Sequence, residues 1–468
     1  MGDLDTTSAS FDSSEASIDR QEFSKRLANF IQKTEDHALQ AANPGGYYTG
    51  VWCRDSSYIL KDWFLSGRIQ DILNEILVIW SHQIGWASDD RIVFGRGSPE
   101  MNFKPILADE KVKKRFRGSL PTSIYHTRKL CEVFGKNPDI DSTALMISST
   151  SWLLSRLLAE DDKHDAIASS SISSKVTTRS SFRNQVEEVL DFTIPRMHTA
   201  IEYLARRDID GDGLLEQNHN EDWMDSIMRA GKIVYSQACW ILALTNFSIL
   251  MQLLDKRKGS VQKILKLANA TIRGVEQKLW SEEDGAYIDV QETHHIGGPY
   301  RTLTQDTSLY LVAVSENSLR DNLTSIEQNV SKAKTGDENL DRANRALDAI
   351  KSRVWKKKWP LVTEVELKST GPWHLKPYEY HNHTFWPWTT GIEMLARSRF
   401  DRVEECNLLL STLTSESKFH MHTFHEWINP VTDEGSGAFP FRTGISAVRI
   451  SVVDISGNIR RRRLSAKA

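Results

Sequence analysis

Helical periodicity, and the places where it breaks, constrain this chain most. Apolar residues recur at helical spacing in about a dozen segments. The first is Gln21 to Ala42, where Phe23, Leu27, Phe30, Ile31 and Leu39 share a face; it stops at Asn43-Pro44-Gly45-Gly46. Similar segments follow at Ser56 to Leu65, Ile69 to Ile84, Ser123 to Phe134, Asp141 to Leu158, Val186 to Arg206, Val234 to Leu253 and Val261 to Trp280. The last are Asp306 to Ser315, Asn339 to Trp355, Thr390 to Ser398, Arg402 to Leu413 and Thr443 to Val453. Loops between them alternate between short and long, and strand signals are few. The expected fold class is all-α, built of helical hairpins. Such hairpins close into a ring of inner and outer helices whose long loops gather at one end. The alternative is an open solenoid, but no fixed repeat period is present.

Residues 1–18 are acidic and rich in Ser and Thr and are expected to be a disordered tail. The ring then spans 19–455. A flexible insertion is expected near 160–182, where apolar residues thin out, and a basic tail at 456–468, with Arg460 to Arg463. Across the 468 residues, Lys+Arg 59 against Asp+Glu 62 leaves a net charge of -3, which favours no nucleic-acid partner. Cys53, Cys131, Cys239 and Cys406 are scattered without paired spacing, so they read as reduced thiols. The N-terminus lacks the basic start and apolar run of a secretory signal, and no uninterrupted apolar run of membrane-spanning length is expected. The expectation is a cytoplasmic protein with no membrane partner; oligomeric state is left open.

Chemistry concentrates between Asp208 and Leu244. An acidic turn leads into Glu221-Asp222-Trp223-Met224-Asp225, then through Arg229, Gly231 and Lys232 into the helix from Val234. A carboxyl group against an indole resists ionisation, because burial disfavours its charged form. The same indole can stack on a sugar face. Asp225 is therefore the candidate general acid of a glycosidase, against the plainer reading of an acidic helix-capping turn. Asp208-x-Asp210-x-Asp212-Gly213 resembles half a calcium loop, but its twelfth position is His219 rather than Glu. An acidic turn is the better reading.

Trp52-x-Arg54-Asp55 and Asp141 stand at helix starts, where hydrogen-bonding to sugar hydroxyls competes with ordinary capping. His381-Asn382-His383-Thr384-Phe385-Trp386-Pro387-Trp388 reads as a sugar-facing aromatic wall. His381 and His383 lack a clear third ligand, so no metal and no cofactor is expected. Glu426, between His425 and Trp427 in a long loop, is the candidate second carboxylate. The substrate-binding set is Trp52, Arg54, Asp55, Asp141, Glu221, Trp223, Lys232, His383, Trp386 and Trp388, and the partner a carbohydrate. No nucleophile elbow, phosphate loop or dinucleotide fingerprint occurs.

These motifs resemble the glucosidase domain of glycogen-debranching enzymes, within the six-hairpin glycosidase superfamily. Trp223-Met224-Asp225 with the helix that follows matches that family's acid motif. Trp52-x-Arg54-Asp55 resembles its Trp-Gly-Arg-Asp element, with Cys53 replacing glycine, and His383-Thr384-x-Trp386-Pro387-Trp388 resembles its His-Gly-Thr-x-Trp-Pro-Trp element, lacking the glycine. The resemblance runs from about Trp52 to about Val453. It implies an (α/α)6 barrel and an inverting glycoside hydrolase that releases glucose from an α-glucosidic bond, with Asp225 as acid, Glu426 as base, and Arg54 and Asp55 holding the terminal glucosyl unit. Neither a β-rich N-terminal domain nor a second transferase domain is visible. The alternatives are a trehalase or disaccharide phosphorylase on the same barrel, or a non-catalytic carbohydrate-binding or scaffold protein.

Overall fold

The computed structural model describes residues 20–465, apart from 39–40, 87–89, 96–104, 169–175, 255–257, 293, 296–297, 325–332, 371–372 and 415–423. The expected N-terminal tail at 1–18 lies outside it, and of the expected basic tail at 456–468 only 466–468 do. Thirteen α-helices occur among the described residues. They are α1 (Arg20–Ala38), α2 (Cys53–Leu65), α3 (Ile69–Ser81), α4 (Glu110–Arg115), α5 (Ile140–Ala168), α6 (Val176–Ala205) and α7 (Val234–Leu253). After these come α8 (Lys258–Lys278), α9 (Thr307–Thr324), α10 (Ala333–Ala349), α11 (Pro387–Arg399), α12 (Val403–Leu413) and α13 (Arg442–Ser465).

The packing sorts twelve of them, all but α4, into two sets. In the inner set α2 packs on α5, α5 on α7, α7 on α9, α9 on α11, α11 on α13, and α13 on α2. An outer helix leans on each inner one: α3 on α2, α6 on α5, α8 on α7, α10 on α9, α12 on α11 and α1 on α13. Side chains explain the sorting. α8 and α10 carry one apolar stripe each, which suits a helix with one wet face. α7 is apolar nearly all round and buried from Val234 to Ser248. In length and composition it matches a membrane span, contrary to the sequence expectation, yet 94% of its most apolar window is buried in this fold. A helix with no polar face belongs at the centre of a large core. Inner helices are also joined by buried polar contacts. Asp62 of α2 pairs with Arg449 of α13 at 2.8 Å, and Asn246 of α7 donates to Ser148 of α5 at 3.0 Å.

Three expectations about elements change. Ser123 to Phe134 is not a helix. Ser123–Tyr125 and Leu130–Val133 pair antiparallel, with Ile124 opposite Cys131, inside a five-stranded sheet that also holds Val51–Trp52, Arg91–Phe94 and Ile106–Leu107. Cys131 and Val133 are buried while Leu130 and Glu132 are half-buried, so the period is two, and Lys129 turns the chain at φ 47°. The basic cluster at Lys111 to Arg117, expected in a loop, largely forms α4, capped by the Asp109 carboxylate on the Val112 amide. The last helix continues past Val453 to Ser465. The segment 160–182 holds the end of α5 and the start of α6, with 169–175 outside the described residues.

Candidate active site

One pocket collects the residues singled out from the sequence. Trp52, Arg54, Asp55, Trp223, Asp225, Trp386, Trp388 and Glu426 line it, together with Pro44, Tyr48, Tyr58, Tyr380, His381, Phe441 and Thr443. The space between them, counting what opens to solvent, is about 440 Å³. Many of these residues sit at or just before the N-terminal end of an inner helix: Arg54 and Asp55 in α2, Asp225 before α7, Trp386 and Trp388 around the start of α11, Thr443 in α13. The inner helices therefore present the same end to the pocket.

Asp225 is held by its backbone. Asn220, in the left-handed conformation at φ 63° that Asn tolerates, donates from Nδ2 to the Asp225 carbonyl. Thr370 Oγ1 donates to the same carbonyl at 3.1 Å. The carboxyl group receives no hydrogen bond among the described residues. His381 Nδ1 lies 3.7 Å from Oδ1, and that nitrogen is 2.8 Å from Ser226 Oγ. Indoles close the walls: Trp223 meets Trp388 edge-on at 4.8 Å and Trp386 at 5.3 Å. Burial pushes Asp225 well above the usual carboxylate range; Arg54 opposes the shift, and Asp139, Asp222 and Glu426 add to it. His381, buried and near Arg54 and Arg229, is held well below its ordinary value and is neutral.

Glu426 has the opposite surroundings. Tyr48 donates to Oε1 at 2.7 Å and Tyr380 at 3.2 Å; Tyr47 donates to Oε2 at 3.1 Å and the Ala438 amide at 2.8 Å. Burial raises Glu426 above its ordinary value, while these four donors pull it back. Burial and the Glu426 charge push the Tyr47 phenol up to about 12, so it keeps the proton it donates. The carboxylate lies beside the short antiparallel pair Trp427–Ile428 and Gly435–Ser436. Gly437, at φ 76°, leaves room for it, since a Cβ there would run into Glu426 Oε2.

Behind the pocket, two buried ionic webs fix the walls. Arg54 Nε reaches Asp141 at 2.6 Å, and Asp139 takes hydrogen bonds from Thr122 at 2.8 Å and Ser142 at 3.0 Å. Arg229 binds Asp222 at 2.9 Å, Asp289 at 2.8 Å and Asp306 at 2.7 Å, and Asp306 accepts from the Trp223 indole at 3.1 Å.

Asp141 thus stands one layer back, orienting Arg54. Three other sequence candidates do not line the pocket. Glu221 is buried against Arg207, Asn137 and Asn218. Lys232 pairs with Asp210 at 2.6 Å and also with Asp212, which Lys278 joins. Ammonium groups, rather than the geometry of a calcium loop, meet that acidic turn. Asp212 is pulled down to about 2, the lysine and backbone hydrogen bonds outweighing a burial effect of opposite sign. His383 turns away at φ 61° to place Nδ1 2.6 Å from the Thr363 carbonyl, so it shares no ligand position with His381. Sequence reading missed Tyr47, Tyr48 and Tyr380 as site residues, and put His381 in the aromatic wall without giving it a place in the binding set. Tyr47-Tyr48 after the Gly45-Gly46 break was the available signal. Trp52 Nε1 and Tyr58 OH, both buried in pocket-lining residues, have no protein partner among the described residues.

No protein-family model and no curated protein matches the sequence. Solved structures do match. A GH63 mannosylglycerate hydrolase from Thermus thermophilus, in complex with Tris and D-glycerate, aligns over 91% of this chain and 98% of its own, with TM-score 0.53 and 15% identity. The glucose complex of that hydrolase covers 92% and 99% at TM-score 0.51 and 15% identity. A protein described as a wild-type glycosidase covers 94% and 99% at TM-score 0.53 and 11% identity. The fold is that of these glycosidases. The debranching-enzyme resemblance finds no separate support among them.

Proposed function

We propose that this chain is an inverting glycoside hydrolase on an (α/α)6 barrel, cleaving an α-glycosidic bond and releasing glucose. The cyclic order of inner-helix contacts and the solved neighbours support the barrel. One observation carries the chemistry: two buried carboxyl groups line a single indole-walled pocket, one without donors and one with four. Asp225, protonated, gives its proton to the leaving oxygen. Glu426, ionised, takes a proton from water attacking the opposite face of the sugar. Arg54 and Asp55 hold the sugar hydroxyls, and Trp52, Trp223, Trp386 and Trp388 cover its faces.

Between a small glucoside and a branched glucan, the small glucoside is the proposed substrate. The neighbour crystallised with D-glycerate points the same way. The test is a release screen over glucosylglycerate, trehalose, maltose, isomaltose and a branched dextrin, with the anomer followed by NMR. Release of glucose as the β-anomer first is the expected result. First release of the α-anomer would contradict inversion; turnover only with phosphate would make it a phosphorylase. Tight sugar binding with no product would make it a binding protein.

A further inference from the structure

The five-stranded sheet carries a second cluster of chemical side chains, well separated in role from the pocket. His82 follows the end of α3, Asp90 precedes the strand Arg91–Phe94, His126 follows the strand Ser123–Tyr125, and Cys131 lies in the strand Leu130–Val133. One ligand atom from each of His82, Asp90 and Cys131 falls within 4.8 Å of the others. His126 Nδ1 is 3.3 Å from His82 Nε2, and Asp90 Oδ2 is 3.4 Å from that same nitrogen.

We propose that His82, Asp90 and Cys131 hold a divalent transition metal, zinc above all, and that His126, beside His82 but outside the span those three share, turns its ring to supply the fourth ligand. Three features of the geometry carry it. The first is spacing. Zinc holds imidazole nitrogen and carboxylate oxygen at roughly 2.0–2.2 Å, which sets neighbouring ligand atoms of a tetrahedron about 3.3–3.6 Å apart. The two edges on His82 Nε2, 3.3 Å to His126 and 3.4 Å to Asp90, agree with that, and Cys131 lies within 4.8 Å of His82 and Asp90. The second is the tautomer of His82. Its Nδ1 lies 2.7 Å from the Val78 carbonyl, which only accepts, so Nδ1 carries the hydrogen. Nε2, the nitrogen left for a metal, faces the Asp90 carboxylate and His126. A ligating histidine whose other nitrogen donates to a backbone carbonyl is the usual outer-shell arrangement, and it fixes the ring for a metal. The third is the donor set. Two imidazoles, a thiol and a carboxylate, all from protein, suit zinc and leave no open position, which marks a structural site.

Such a metal would staple the end of α3 to three strands of the sheet. Strand Val51–Trp52 belongs to that sheet, paired with Ser123 and Ile124, and delivers Trp52 to the pocket. His126 is exposed and Cys131 buried, so the ion would enter past His126.

The test is metal content of the full chain expressed with added zinc, beside cobalt reconstitution of the chelated protein. About one zinc per chain is expected, with a thiolate-to-cobalt charge-transfer band after reconstitution. Cys131→Ser should abolish the band, and His126→Ala should lower metal content about tenfold or more. His126 is exposed, so its variant tests the site even where Cys131→Ser fails to fold. A wild-type chain that takes up neither zinc nor cobalt would overturn the proposal. So would metal bound equally by wild type and His126→Ala.

Discussion

The two sides of the pocket treat a carboxyl group in opposite ways. Around Asp225 there are indoles, and its carboxyl group accepts no hydrogen bond among the described residues. Around Glu426 there are three phenols and one amide, all donating. Both groups are buried, so burial alone would leave both neutral. The difference lies in what each wall offers the charged form. Glu426 is given four partners for its charge, and Asp225 is given a neutral histidine at 3.7 Å. A pair with contrasting surroundings is what acid–base cleavage of a glycoside requires.

That contrast is open to attack from several sides. Removing either group should do most. Asp225→Asn and Glu426→Gln are each expected to lower kcat about 10²–10⁴-fold on an unactivated glycoside, measured by glucose release. Near-native turnover by both would mean the pocket is not the site. Next in size is the wall behind Asp225. Arg229→Met leaves three buried aspartates facing one another and should cost about 3–5 kcal/mol of stability by denaturant melts. The Trp223 indole, held through Asp306, should loosen with it.

A single donor matters less. Tyr48→Phe removes the 2.7 Å bond to Glu426, an interaction with a charged acceptor worth about 1.5–3 kcal/mol. The expected effect has a sign. Turnover rises with pH as Glu426 ionises, above the ordinary glutamate value, and falls as Asp225 loses its proton, well above the ordinary aspartate value. Losing a donor to the carboxylate raises Glu426 further, so the acid limb of kcat/KM moves to higher pH while the alkaline limb stays. The smallest effect is expected at Lys232. Lys232→Met should leave kcat/KM within about twofold, because its ammonium serves Asp210 and Asp212, outside the pocket. Its signature is acid stability. Asp212 sits at about 2 in the fold against an ordinary 3.8, so its contribution is present above 3.8 and lost as pH falls through 2. Acid melts of wild type and variant should converge below that.

Much of this was legible in the sequence, for identifiable reasons. Helical periodicity reports packing directly, so nearly every inner and outer helix was visible. Asp225 and Glu426, which line one pocket, were singled out because a tryptophan stands close to each in the chain. Local sequence failed where position is set by distant contacts. Tyr380 and His381 reach the pocket only because the loop turns through left-handed residues, Tyr378 at φ 66°, Tyr380 at φ 49° and His383 at φ 61°. The same turn carries His383 away. Lys232 and Glu221 stand near Asp225 in sequence, but Asp210, Asp212 and Arg207 capture them first. Ser123 to Phe134 misled because a seven-residue separation suits both two helical turns and the cross-strand pair Ile124–Cys131.

The division of labour between the carboxyl groups meets its most direct test in a glycosyl fluoride of whichever sugar the release screen identifies. Fluoride leaves with little help from a proton, whereas attack by water still needs a base. Asp225→Asn should therefore turn the fluoride over within about tenfold of wild type, while Glu426→Gln stays depressed by about a hundredfold or more. Equal rescue of both variants, or rescue of Glu426→Gln alone, would contradict the assignment of acid and base.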